Sequence, residues 1–108
     1  MAWRVGLLIP SSNSVMEVDF YRNLSHDTTV HTARMYMVDT TVAGESRMLD
    51  EFTMPAAEAV GTALPHVTVF GCTSAGALRG KDYDRDLCAR IGEVTGSTPI
   101  SVIESVNV

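Results

Sequence analysis

His66-Val67-Thr68-Val69-Phe70-Gly71-Cys72-Thr73-Ser74-Ala75-Gly76 is the stretch on which the fold turns. Its first six residues are apolar and β-branched enough to read as a buried strand. Cys72 to Gly76 then read as a turn leading into a helix start. In an open parallel sheet, the carboxyl end of a strand is where ligands are held. A thiol placed there is a nucleophile or a proton carrier. The backbone N–H groups that follow can receive an anion. The same residue type also has a packing reading, because cysteine outside disulfides is among the most buried residues.

Outward from this strand, the chain alternates. Trp3 to Ile9 is a nearly continuous apolar run, as expected for a central strand covered on both faces. Pro10-Ser11-Ser12-Asn13-Ser14 has loop composition. Ser14 or Asn13 can cap a helix from about Val15 to Leu24, with Glu17 in its first turn. Thr29 to Met37 reads as a second strand. Val42 to Leu64 has helical spacing, with Leu49, Phe52, Ala56, Val60 and Ala63 on one face. Pro55 cannot donate its N–H inside a helix, so two pieces are expected. The first ends near Phe52. The second starts near Met54-Pro55 with Thr53 as cap.

After the strand at His66–Gly71, a helix is expected from Tyr83 to Val94, with Asp82 as cap and acids Asp84 and Asp86 in its first turn. Leu87, Ile91 and Val94 make its apolar stripe, and Gly96 ends it. Thr98 to Ile103 reads as a fourth strand. The order β-α-β-α-β-α-β predicts an α/β fold, a four-stranded parallel sheet flanked by helices, joined by right-handed crossovers. Glu104 to Val108 reads as a loop and the opening of another helix.

The 108 residues suffice for one domain with a modest core. A hydrophobic fraction of 45% and a charged fraction of 19% are those of a folded globular protein. The net charge of −5, with no basic stripe, argues against nucleic acid and against a membrane surface. Cys72 and Cys88 have no zinc or CxxC spacing. The start of the chain runs into a strand, and no apolar run is long enough for a membrane span. A reducing, cytoplasmic setting is the expectation.

Two strand-to-helix loops therefore carry the chemistry: Pro10–Ser14 and Cys72–Gly76. If their strands are neighbours, the loops face one another across a crevice. Small polar residues there can hold a carboxylate or a phosphate. Asn13 can cap the first helix or bind an anion. Thr73 and Ser74 can cap a helix or donate to a developing oxyanion. Cys88, in mid-helix beside an apolar stripe, reads as structural. His26, His31 and His66 show no ligand spacing. Arg34 and Tyr36 read as solvated or edge positions. Arg79, Lys81 and Arg85 read as a solvated face.

The run Arg4-Val5-Gly6-Leu7-Leu8-Ile9-Pro10-Ser11-Ser12-Asn13, followed by Met16-Glu17, resembles the opening of maleate cis-trans isomerases. His31 to Met37 resembles their second strand. These enzymes belong to the aspartate/glutamate racemase superfamily, which also holds arylmalonate decarboxylases. Gly71-Cys72-Thr73-Ser74 falls where that superfamily places its first catalytic position. Arg90 to Ile100 is similar to the helix-to-strand passage of the decarboxylase branch.

The resemblance implies a cofactor-independent isomerase or racemase acting on a small carboxylic acid through an enediolate-type intermediate. Carried over by position, Cys72 is the nucleophile or base. Asn13 orients a substrate carboxylate. Pro10, Ser11, Thr73 and Ser74 line the anion pocket. Cys72 favours the isomerase and racemase branches over the decarboxylases, which lack that cysteine. Family members are roughly twice this length, with a second pseudo-symmetric half carrying a second cysteine. The resemblance thus makes this chain the N-terminal half of a longer enzyme, inactive alone. A two-fold dimer bringing two Cys72 thiols together is the other way to complete the site. The competing readings are a flavodoxin-like module whose Ser11, Ser12 and Ser14 hold a phosphate or flavin mononucleotide, an arylmalonate-decarboxylase-like lyase, and an inert domain with a buried Cys72.

Overall fold

The computed structural model describes residues 3–37, 39, 41–72 and 78–101. Strand β1 is Trp3–Pro10, followed by helix α1 (Met16–Asn23) and strand β2 (Thr28–Met35). Then come α2 (Val42–Arg47), a π-helical turn (Met48–Phe52) and α3 (Thr53–Gly61). Strand β3 (Val67–Phe70), helix α4 (Lys81–Thr95) and strand β4 (Thr98–Ser101) complete the described chain. All strand pairs are parallel, in the order β2-β1-β3-β4. The α/β architecture expected from the alternating pattern is the one observed.

β1 is central because its side chains are buried on both faces. Leu8 points into a core with Phe70, Met35, Ala57, Val60, Leu87 and Ile91, on the side covered by α3 and α4. Leu7 and Ile9 point the other way, into a smaller cluster with Val30, Val69, Met16 and Phe20 under α1. Each fully buried side chain of this size contributes about 1.5–3 kcal/mol relative to exposure. The register Leu7↔Val69 and Leu8↔Phe70 sets β1 and β3 side by side. Their carboxyl ends therefore lie at one edge of the sheet.

Two local expectations are corrected. The helix at 42–61 does not break before Pro55. Thr53 donates its backbone N–H to the Met48 carbonyl, five residues back, and its buried hydroxyl also donates to that carbonyl at 3.2 Å. A wider turn thus absorbs the missing proline donor, and Thr53 is not a cap. Helix α4 begins at Lys81, not Tyr83, with Gly80 in the capping position and no side-chain cap from Asp82. Asp84, in the first turn of the helix as expected, is fully buried and accepts a hydrogen bond from the Ser101 hydroxyl at 2.6 Å. It ties the start of α4 to the end of β4.

Gly96 ends α4 as expected, in a left-handed conformation (φ 66°), with its N–H on the Gly92 carbonyl at 2.9 Å. The second strand ends at Met35 rather than Met37. The fourth is described as far as Ser101, and the remainder of its expected span lies outside the described residues.

Candidate functional site

Pro10 is the last residue of β1, buried and paired with Met35. Its carbonyl accepts from Asn13 N–H at 3.0 Å, which closes a tight turn. Ser11 continues the sheet with its side chain. Its N–H donates to the Met35 carbonyl at 2.7 Å. Its hydroxyl accepts from Met37 N–H at 2.9 Å and donates to the Met37 carbonyl at 3.4 Å. The Ser11 hydroxyl therefore fastens the end of β2.

Asn13 Oδ1 accepts from the N–H groups of Val15 and Met16 at 3.0 and 3.1 Å. These are orphan donors at the start of α1, so the side chain is the helix cap. The amide nitrogen is the half of the side chain that the cap does not use.

Arg34 lies on the edge strand β2, opposite Ile9. It is more than a solvated edge residue. One guanidinium nitrogen donates to the Ser11 carbonyl at 3.2 Å and to the Asn13 carbonyl at 2.8 Å. The other pairs with the Glu17 carboxylate, whose second oxygen accepts from the Thr32 hydroxyl at 2.8 Å. The sequence held no sign of this brace, because its members are brought together only by the β1–β2 register.

At the end of β3, Gly71 N–H donates to the Leu8 carbonyl at 2.7 Å and extends the β1–β3 ladder by one residue. A Cβ on Gly71 would stand 2.7 Å from Met16 Sδ and 2.9 Å from Ile9 Cγ2. The first residue of α1 and the end of β1 thus pack closely on the end of β3, where any side chain would make them shift.

Cys72 follows at once. It is 4% exposed and belongs to the core cluster with Leu8, Phe70 and Leu87. It therefore stands at the expected edge of the sheet, but covered rather than displayed. Cys88 is 8% exposed, in mid-helix, within the same cluster. Thr73 and Ser74, the two remaining expected pocket residues, lie outside the described residues.

Arg79 departs from the solvated-face expectation. It forms a two-pronged ion pair with Asp50 of the π-helical turn, at 2.7 and 3.1 Å, and reaches the Tyr83 hydroxyl at 3.0 Å. Its hydrogen bonds hold the Asp50 carboxyl below its ordinary range, and Asp50 in turn raises Arg79 above its own. Lys81 and Arg85 are exposed.

A separate cavity of about 200 Å³ lies beyond the end of β2, lined by Tyr36, Asp39, Thr41, Ala43, Gly44, Arg47 and Phe52. Neither Cys72 nor Asn13 lines it. Among the described residues, no group of three potential metal ligands occurs, and no helix is long and apolar enough to cross a membrane.

No family model and no curated protein matches the chain by sequence. Solved structures do. A maleate isomerase from Pseudomonas putida, crystallised with maleate, superposes with a TM-score of 0.84 at 25% identity, over 98% of this chain and 47% of that one. A second structure of the Pseudomonas putida isomerase gives 0.83 at 27% identity, with the same coverage. Arylmalonate decarboxylase superposes with a TM-score of 0.74 at 17% identity, over 98% of this chain and 44% of that one. The chain spans about half the length of these proteins. It has the aspartate/glutamate racemase superfamily fold, that of the maleate isomerases and arylmalonate decarboxylase, across one of their two halves.

Proposed function

We propose that this chain supplies one half of the active site of a cofactor-independent isomerase or racemase acting on a small carboxylic acid. The observation that carries the reading is the placement of Cys72 directly after β3, next to the loop that follows β1, in a chain with the fold of the maleate isomerases. A Nocardia farcinica maleate cis-trans isomerase of the same fold, at 22% identity, has been crystallised as a cysteine-to-serine mutant with a covalently bound succinylcysteine intermediate.

On this reading, the Cys72 thiolate adds to one alkene carbon of a cis-butenedioate. The C–S bond forms as the π electrons move onto the adjacent carboxylate, giving an enediolate. The former double bond, now single, rotates. Expulsion of the thiolate restores the alkene in the trans geometry. In a racemase the same thiolate takes a proton from the carbon next to the carboxylate, and a group on the opposite face returns one. The carboxylate must be held in either case. Pro10, Ser11, Asn13, Thr73 and Ser74 are the residues proposed around it. Asn13 contributes its amide nitrogen, since Oδ1 caps α1. Ser11 lines the pocket without donating to the acid, since its N–H is on Met35 and its hydroxyl is spent on Met37. That engagement also removes one of the three hydroxyls on which a phosphate-binding module would depend.

Incubation of the chain with maleate, followed by peptide mass spectrometry, tests the reading. A succinyl adduct, formed when a proton from water reaches the enediolate carbon before the thiolate leaves, is expected on Cys72. It should persist in Cys88→Ser and vanish in Cys72→Ser. Equal modification of both cysteines, or none at either, contradicts the proposal.

A further inference from the structure

The brace on the first loop assigns a task to a residue outside the expected site. We infer that Arg34 is a positioning residue for carboxylate binding, acting through the backbone N–H groups of Ser12 and Ser14. The inference rests on the small-carboxylate reading above and adds to it which groups hold the acid and what orients them.

The argument starts from the peptide unit. It is planar and trans, so the C=O of one residue and the N–H of the next point in opposite directions. The described chain contains no cis peptide. One guanidinium nitrogen of Arg34 draws the carbonyls of Ser11 and Asn13 toward itself, at 3.2 and 2.8 Å. The N–H groups of Ser12 and Ser14 are therefore turned to the side of the loop opposite the guanidinium.

Those two donors have no acceptor among the described residues, whereas their neighbours do. Ser11 N–H is on Met35, Asn13 N–H on Pro10, and Val15 and Met16 N–H are on Asn13 Oδ1. Alternate amides of the loop are thus consumed, and the intervening pair is presented. Charge-assisted bonds from such N–H groups are the usual way a backbone receives a carboxylate.

Arg34 is itself held. Glu17 takes its second guanidinium nitrogen, and Thr32 holds Glu17. The fork geometry of arginine suits this task, because one planar group serves two carbonyls and a carboxylate at once. Lysine has the charge without the fork.

The test uses this chain, ¹⁵N-labelled, with maleate as the probe, alongside Arg34→Gln and Arg34→Lys. In the parent, maleate should shift the amide signals of Ser12 and Ser14. Arg34→Gln should weaken maleate binding about tenfold and remove those two shifts, with the amides of Gly71 and Cys72 still responding. Arg34→Lys should lose about threefold. The parent-to-variant ratio should persist at high salt, where a distant charge effect is screened within a Debye length of about 3 Å at 1 M.

Parent-like binding in either variant overturns the assignment, as does a ratio that vanishes at high salt. Maleate shifts at Gly71 and Cys72 without any at Ser12 and Ser14 overturn it while leaving the proposed function standing. No shift anywhere overturns both. If Arg34→Gln fails to fold, Thr32→Val, which only frees Glu17, should give the same loss in smaller measure. Unchanged affinity there counts against the brace.

Discussion

The loop after β1 and the residues that close β3, Phe70 to Cys72, stand at one edge of the sheet but are built by opposite means. The first is polar and externally strapped. Ser11 fastens β2, Asn13 caps α1, and Arg34 reaches in from the edge strand to hold two carbonyls. The second begins in the apolar core, with Phe70, Gly71 and Cys72 all buried. One side of this edge is thus shaped by directional bonds and the other by packing. On the function proposed above, the polar side would orient the anion and the packed side would hold the thiol.

The sharpest way to break this arrangement is at the contact between the two sides. Gly71→Ala places a methyl against Met16 Sδ and Ile9 Cγ2, at 2.7 and 2.9 Å. Overpacking of this kind costs about 1–3 kcal/mol. Thermal or urea unfolding should show the loss, together with amide shifts across Asn13 to Met16. An unchanged stability would mean that the end of β3 is not tightly packed against Met16 and Ile9.

A smaller effect separates capping from anion binding on the polar side. Asn13→Ala removes the acceptor for two helix-start amides and should cost about 1 kcal/mol. Asn13→Asp keeps the acceptor, so stability should stay near that of the parent. It also replaces the amide donor with a negative charge, so maleate binding should fall sharply. Equal maleate affinity in Asn13→Asp would leave that side chain with the cap alone.

The smallest effect lies away from this edge. Asp50 titrates below its ordinary value of 3.8 because Arg79 bonds its charged form. Its contribution to stability is present above that value and is lost as the pH falls through the lower, folded one. The pair is exposed on the Asp50 side, so the change in stability should be slight. The clear readout is the carboxyl titration itself, which Arg79→Gln should move up toward 3.8. A titration that does not move would remove Arg79 as the cause.

The architecture was legible because each element carries its own period. β1 is apolar but for Arg4, and β3 is followed by glycine and cysteine. Gly96 marks the end of α4 by the one conformation it tolerates best. Elements with conflicting local signals were less legible. Pro55 argued for a break, yet a π-helical turn satisfied the same backbone, since Thr53 could reach Met48. Asp84 was read only as a dipole-favouring acid of the first turn, and its burial against Ser101 depends on where β4 ends. Cys72 and Asn13 could be named from loop composition and family likeness. Arg34 could not, because nothing on β2 announces that its neighbour across the sheet ends in a loop with carbonyls to spare. The two-sided reading of Asn13, cap or anion ligand, reflects chemistry in which both uses share one side chain.

The central claim concerns one thiol, and competitive labelling tests it most directly. Cys72 is less exposed than Cys88, 4% against 8%, so exposure alone favours modification of Cys88. With limiting iodoacetamide near neutral pH, the account predicts that Cys72 is carboxamidomethylated first and that maleate slows it, with Cys88 unaffected. Faster labelling of Cys88, or slow labelling of both that maleate does not change and only denaturant accelerates, would contradict it.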